Sequence, residues 1–261
     1  MQATGVMDSL PLWAVYLITA ALVLLSTEAG WRLGNFSRHR PRHEQDAPTG
    51  AVIGSMLGLL AFLLAFTFGM AASRYDSRKQ LVLQEANAIG TAYLRAEMLP
   101  EPQRSEIRNL LREYAAPRVQ GGTWLVTPEA LAESSALHDR LWAAAVAATA
   151  QNPGSIVGGL FVQSLNEVID LDETRVTANR NRIPDSIWMA LYVVTILTMV
   201  ALGYQFGLTG ERSWAVIILL VLVFTAVMFL IADLDRPQQG IVQVSQQAMI
   251  DLVNKIGAPV P

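Results

Sequence analysis

The chain has 261 residues, 52% hydrophobic and only 16% charged, well below the roughly 25% charge of ordinary soluble domains. Its 19 Lys and Arg against 22 Asp and Glu leave a net charge of -3, and the near-neutral block 74–185 shows no nucleic-acid-like basic field. There is no cysteine, so disulfides, thiol catalysis and thiolate metal sites are excluded too.

Charge is unevenly placed, and residues 9–27, 47–73, 186–210 and 213–232 carry none. About 20 apolar residues rising about 1.5 Å each cross a bilayer, so each stretch predicts a transmembrane helix. The spans are expected at about 9–31, 49–73, 186–209 and 213–232. Residues 1–8 hold no Lys or Arg and no small-residue cleavage site follows, so the first run reads as a retained span. Trp13 and Trp31 lie near the ends of span one, and Trp188 and Trp214 start spans three and four, as expected of aromatic anchors at headgroup level. Glu28 ends span one as a candidate ion contact, since ionisable groups in spans are functional candidates.

A basic, irregular loop is expected from Arg32 to Gly50, containing Arg38, His39, Arg40, Pro41, Arg42 and His43. The two histidines are four apart, but Pro41 between them rules out a helical zinc pair, and they read as solvated. Span two then sets Gly50, Gly54 and Gly58, followed by Phe62, Phe66 and Met70, at four-residue spacing. Residues four apart share a helix face. Gly50, Gly54 and Gly58, beside Ala61, Ala65, Gly69 and Ser73, allow helix backbones to approach closely in lipid. By periodicity alone Phe62 and Phe66 face lipid or another span; around a symmetry axis they would stack as aromatic rings that gate ions by dewetting. The span continues without a helix breaker into Arg74-Tyr75-Asp76-Ser77-Arg78-Lys79, a charged, water-exposed helix.

Residues 74–185 hold 12 Lys/Arg against 14 Asp/Glu and read as a helical soluble domain inserted between spans two and three. Residues 74–99 are helical, and Pro100 and Pro102 break them. Ile107, Leu110, Leu111 and Tyr114 mark an amphipathic helix over 103–116. Thr127-Pro128-Glu129 supplies an N-cap, a first-turn proline and an early acid. Asn152-Pro153-Gly154 is a turn, and a last helix runs from Ser155 towards Arg182. Asp170, Asp172 and Glu173 resemble part of a calcium loop, but no glycine follows at the sharp turn; they read as a solvated helix face. Spans three and four are joined by Thr209-Gly210-Glu211-Arg212, which predicts an antiparallel hairpin. The tail 233–261 opens with Asp233-Leu234-Asp235-Arg236-Pro237, where the two acids either end the helix or contact an ion or partner.

No GxSxG, P-loop or dinucleotide fingerprint is present, so neither an enzyme nor a cofactor is expected, and no metal is identified. The domains are therefore a transmembrane hairpin (1–73), the soluble domain (74–185), a second hairpin (186–232) and the tail (233–261). Near the span ends, seven Lys/Arg (74, 78, 79, 175, 180, 182 and 236) flank the side of the soluble domain and five (32, 38, 40, 42 and 212) the other. The positive-inside rule then puts the domain in the cytoplasm, although the flanks of span one point the other way.

Several segments resemble known proteins. Leu60-Ala61-Phe62-Leu63-Leu64-Ala65-Phe66, with Arg74-Tyr75-Asp76-Ser77-Arg78 beginning eight residues after Phe66 and Asn87 beyond, is similar to the bestrophin neck helix and the charged segment after it. The whole chain resembles the bacterial bestrophin-like membrane proteins through Arg74-Tyr75-Asp76, Glu85-Ala86-Asn87-Ala88-Ile89-Gly90-Thr91-Ala92, Asn181-Arg182-Ile183-Pro184 and Asp233-Leu234-Asp235-Arg236-Pro237. The resemblance implies an all-α, four-span inner-membrane protein that assembles as a homo-oligomer, a pentamer. It would conduct inorganic ions through a pore lined by span two, with its termini and soluble block in the cytoplasm. Gly58, Phe62 and Phe66 take the constriction positions, Gly58 standing where a bulky residue is usual. Arg74, Asp76 and Arg78 take the pore mouth, where the arginines would concentrate anions and Asp76 and Glu85 would favour cations. The acidic run of a calcium clasp is reduced to Asp233 and Asp235. The other reading is a non-conducting membrane scaffold or sensor whose helical domain binds a partner protein, with the glycines serving only helix packing.

Overall fold

The computed structural model describes residues 11–38, 49–121, 124–150, 152–210, 213–236 and 240–257. These form eight α-helices: α1 (Leu12–Ser37), α2 (Thr49–Ala96), α3 (Gln103–Ala115), α4 (Pro128–Ala150), α5 (Ile156–Arg180), α6 (Asp185–Thr209), α7 (Trp214–Asp235) and α8 (Gln247–Ile256). No strand occurs among the described residues. Four candidate membrane spans are found, on α1, α2, α6 and α7, so the chain is an all-α membrane protein. At about 1.5 Å per residue the 22 residues of α7 reach about 33 Å, enough for a hydrocarbon core of about 30 Å.

The chain divides into two compact units. Met1–Ser73 and Arg182–Ile241 make the first, Arg74–Asn181 and Val242–Pro261 the second. α2 therefore gives its apolar first half to one and its charged second half to the other.

In the first unit α1 packs along α6 and α7. The α1–α6 crossing is built on glycine. A methyl group at Gly203 would lie 2.1 Å from the Thr27 carbonyl oxygen, and one at Gly207 2.4 Å from that of Trp31. Gly30 and Gly34 answer from α1, where a methyl would lie 2.1 Å from the Val200 oxygen and 2.2 Å from that of Tyr204. Lipid offers no hydrophobic drive for helix association, so such backbone proximity supplies the attraction. A hydrogen bond of 2.9 Å joins the hydroxyls of Thr19 and Tyr192 across the same pair. α6 ends at Gly210, whose φ of 74° is the left-handed helix-ending conformation glycine favours.

In the second unit the second half of α2 with α3, α4, α5 and α8 closes one apolar core. Ile89, Ile107, Leu111, Leu141, Phe161, Leu165 and Met249 are fully buried in it. Thr127 Oγ1 accepts from the Ala130 amide at 3.2 Å, the expected cap ahead of Pro128. Ser155 Oγ accepts from the Gly158 amide at 3.1 Å and starts α5. Pro184, the N-cap of α6, holds Ile183 out of helical geometry, so α5 and α6 stay separate.

Several expectations are corrected. α1 runs to Ser37, so the segment from Arg32 is helix up to that point; Arg32 continues the helix because it pairs with Glu28 one turn back, at 2.8 Å. His39, Arg40, Pro41, Arg42 and His43 lie outside the described residues, as do Glu211, Arg212 and Pro237. Trp188 is only 4% exposed and lies against Tyr192, their rings tilted by 30°, rather than facing headgroups. Asp172 is buried, 6% exposed, and not on a solvated face, because arginine neutralises it there. The tail contains α8, whose Met249, Leu252, Val253 and Ile256 join the core of the second unit.

Candidate functional site

In the first unit, α2 buries one side and leaves the other uncovered. Ile53, Leu60, Leu64, Thr67 and Ala71 are buried, at the steps of three, four and seven that mark one helix face. At about 100° per residue, positions two apart point to nearly opposite sides. Phe62 and Phe66 therefore stand away from Leu60 and Leu64, and they are 65% and 59% exposed. Their rings stack on each other, 6.4 Å apart and 19° from parallel. Gly54 and Gly58 are exposed beside them. A methyl group at Gly50, Gly54, Gly58 or Gly69 would meet no atom within 4 Å, so none of the described residues packs on these glycines. In the first unit, Gly30, Gly34, Gly203 and Gly207 carry the helix packing instead.

Of the charged residues that follow, in the second unit, Arg74 is half-buried and Asp76 exposed. Arg78 is 3% exposed. Its Nε donates to the Ala178 carbonyl at 3.2 Å and its Nη2 to that of Asn181 at 3.0 Å. It thereby satisfies carbonyls that a helix end leaves without partners, and ties α2 to the end of α5. The neighbouring Tyr75 hydroxyl donates to the Gln243 carbonyl at 3.4 Å.

The three acids expected as ion contacts, Glu28, Asp233 and Asp235, also serve local structure. Glu28 holds Arg32. Asp235 is buried and both its oxygens accept from the Ile183 amide at 3.1 Å, fixing the start of α6 against the end of α7. Asp233, equally buried, accepts from the Ile241 amide at 2.8 Å through Oδ1. Among the described residues, no three His, Asp or Glu side chains converge as a metal cluster.

The densest chemistry lies in the second unit and was not foreseen from sequence. Glu85 of α2 is completely buried between two arginines. Arg118 Nη1 lies 2.7 Å from its Oε1, and Arg175 Nη1 pairs with its Oε2. Arg118 also reaches Asp172 Oδ1 at 2.8 Å, donates to Ser134 Oγ at 3.0 Å and lies 3.8 Å over the Tyr114 ring. Arg175 donates to Gln246, just ahead of α8. His138 Nε2 lies 3.7 Å from Asp172 Oδ2, with its ring 5.2 Å from that of Tyr114.

Two buried carboxylates thus balance two buried guanidiniums. Burial works to lower the Arg118 pKa, but Glu85, Tyr114 and Asp172 hold it above its ordinary value. Burial pushes the Tyr114 hydroxyl up. Burial also lowers His138, outweighing the opposite pull of Asp172, so the imidazole is neutral at neutral pH and the cluster carries no net charge. The signal in the sequence was register. On α5, Phe161, Leu165 and Val168 set a core face, and Asp172 and Arg175 occupy its next two positions.

A model of the bestrophin-like domain matches residues 20–249. Two crystal structures of a mutated bacterial bestrophin homolog from Klebsiella pneumoniae share the fold. One is 14% identical with a TM-score of 0.65, covering 93% of this chain and 96% of the other. The second is 16% identical with a TM-score of 0.64, covering 93% and 98%. No curated protein matches the chain.

Proposed function

The chain belongs to the bestrophin-like family, and from that premise we propose that it acts as a homo-oligomeric, pentameric ion channel of the bacterial inner membrane. One observation carries this reading. The Gly58–Phe62–Phe66 side of α2 is uncovered and points away from the helix's own packing face. Two stacked phenylalanines on a bare face are explained by further copies around an axis, where they form two hydrophobic rings. Such rings hold back ions by dewetting and pass them when wetted. Gly58 places no side chain at the next level, so the constriction is two rings deep and wider beyond.

Arg74 and Asp76 follow as mouth residues, of opposite sign, so charge there tunes local ion concentration without imposing one polarity. Arg78 caps α5 and contributes charge to the mouth only at a distance. Asp233 and Asp235 hold backbone amides, and the reading assigns them an architectural part, with no calcium clasp. The soluble unit is assigned to the cytoplasm.

Purified protein in liposomes should conduct, and Phe62→Ala with Phe66→Ala should raise or deregulate the flux. Its mass in detergent should be a multiple of the chain mass, five by this reading. A monomer or dimer would sink the central pore, and intact oligomers without flux in either variant would leave the scaffold or sensor in its place.

A further inference from the structure

The second unit holds two pairs of arginines, and they are neutralised differently. Arg118 and Arg175 share Glu85, with Asp172 beside them. Arg108 and Arg112 of α3 instead meet on a neutral group. Arg108 Nη2 donates to the Tyr93 hydroxyl at 2.9 Å, and Arg112 Nη2 donates to the same oxygen. Both guanidiniums also lie over the Tyr93 ring, 4.4 and 5.3 Å from its centre. Two cations therefore converge on one phenol oxygen, which carries no charge to offset their repulsion.

Among the described residues, the surroundings balance them only weakly. Arg108 has Glu97 at 3.6 Å, and that carboxylate is 59% exposed; such surface pairs contribute little. Arg112 gives Nε to the Ile256 carbonyl at 2.8 Å and Nη1 to Asn109, both uncharged. Arg108 Nε is shielded from solvent and donates to nothing, an unused donor that elsewhere in a folded protein finds a partner. Arg104 stands one turn before Arg108 on the same face, so three arginines recur at four-residue spacing. Like charges in that register oppose helix formation. Lys255 precedes Ile256 at the end of α8, with Asp251 one turn before it to offset its charge.

We infer that Arg108 and Arg112 form a binding site for a phosphate-bearing anion. A guanidinium presents paired N–H donors that match two phosphate oxygens. Arg108 Nη1 meets only the outlying Glu97, and its side chain is 26% exposed, so a small rotation turns the Nη1 edge to an anion entering beside Arg112. Tyr93 forms the floor and holds both guanidiniums in place. The phosphate comes either from a soluble anion or from a lipid headgroup. The site is independent of whether the chain conducts.

The test titrates inorganic pyrophosphate into the intact oligomer in uncharged detergent at constant ionic strength, reading the unfolding temperature. A parallel arm compares phosphatidylcholine liposomes with and without phosphatidylglycerol. A saturable rise is expected in one arm, with an apparent affinity roughly tenfold or more weaker in Arg108→Gln. Arg108→Lys keeps the charge without the fork and should be several-fold weaker; it also serves if the glutamine variant does not fold. Arg140→Gln, removing an exposed arginine of α4 that pairs with Glu113, should change nothing. Protection by pyrophosphate alone identifies a soluble anion, and protection by phosphatidylglycerol alone a headgroup. No saturable rise in either arm, or one that Arg108→Gln and Arg108→Lys leave intact, overturns the site.

Discussion

Glu85 has no exposed surface and faces two arginines. Replacing it by Gln keeps the shape but leaves Asp172 alone against two buried guanidiniums. Breaking a buried pair in this way costs about 3–5 kcal/mol, so Glu85→Gln should unfold at markedly lower denaturant, while Glu113→Gln on the exposed pair should not. His138 gives a pH signature. Its pKa lies below the ordinary 6.5 when folded, so the unfolded chain binds more protons in the window beneath 6.5. Stability from this group is complete above pH 6.5 and is lost as pH falls through the lowered value. His138→Gln should remove that increment, read as a smaller loss of unfolding midpoint between neutral and mildly acidic pH than in the wild type.

Single residues were unevenly legible in the sequence. The four-residue repeat sets Gly54, Gly58, Phe62 and Phe66 on one side of α2, and the structure leaves that side uncovered. Arg78 and Asp172 were not legible as buried residues. A charge in sequence reads as solvated, and only its partners, about 100 positions away for Arg78, make burial tolerable.

At the scale of elements, the spans were visible because their signal is composition, and lipid selects for that directly. The caps before α4 and the breaks at Pro100, Pro102 and Pro184 were visible as well, since each acts within a few residues. The α1–α6 seam was not. Its glycines stand four apart on each helix, as do those of α2, and nothing in the chain says which set faces a partner in the same molecule. The seam has a sharp test. Gly207→Val puts a side chain where a single methyl already lies 2.4 Å from the Trp31 oxygen, a backbone atom that cannot rotate aside. The cost should be about 3 kcal/mol, at the upper end for overpacking, and should appear as a lower unfolding temperature. Gly54→Ala on the open face of α2 should leave the monomer's packing unchanged.

For the molecule as a whole, order of elements, span number and the division after Ser73 followed from sequence, but the place of α8 did not. α8 is short and follows two spans, so its membership in the distant core rests on Leu252 and its neighbours finding α2 and α3, contacts with no local signature. The partition carries a consequence for synthesis. The core of the second unit needs both α2 and α8, and the stretch Arg182–Ile241, which holds α6 and α7, is made between them. At the usual pace of a ribosome, about 5–20 residues per second, those roughly 60 residues take about 3 to 12 s. Through that interval the helices already made stand with a gap where α8 belongs, while two more spans enter the bilayer. The core of the second unit therefore cannot close until α8 has been made, after α6 and α7.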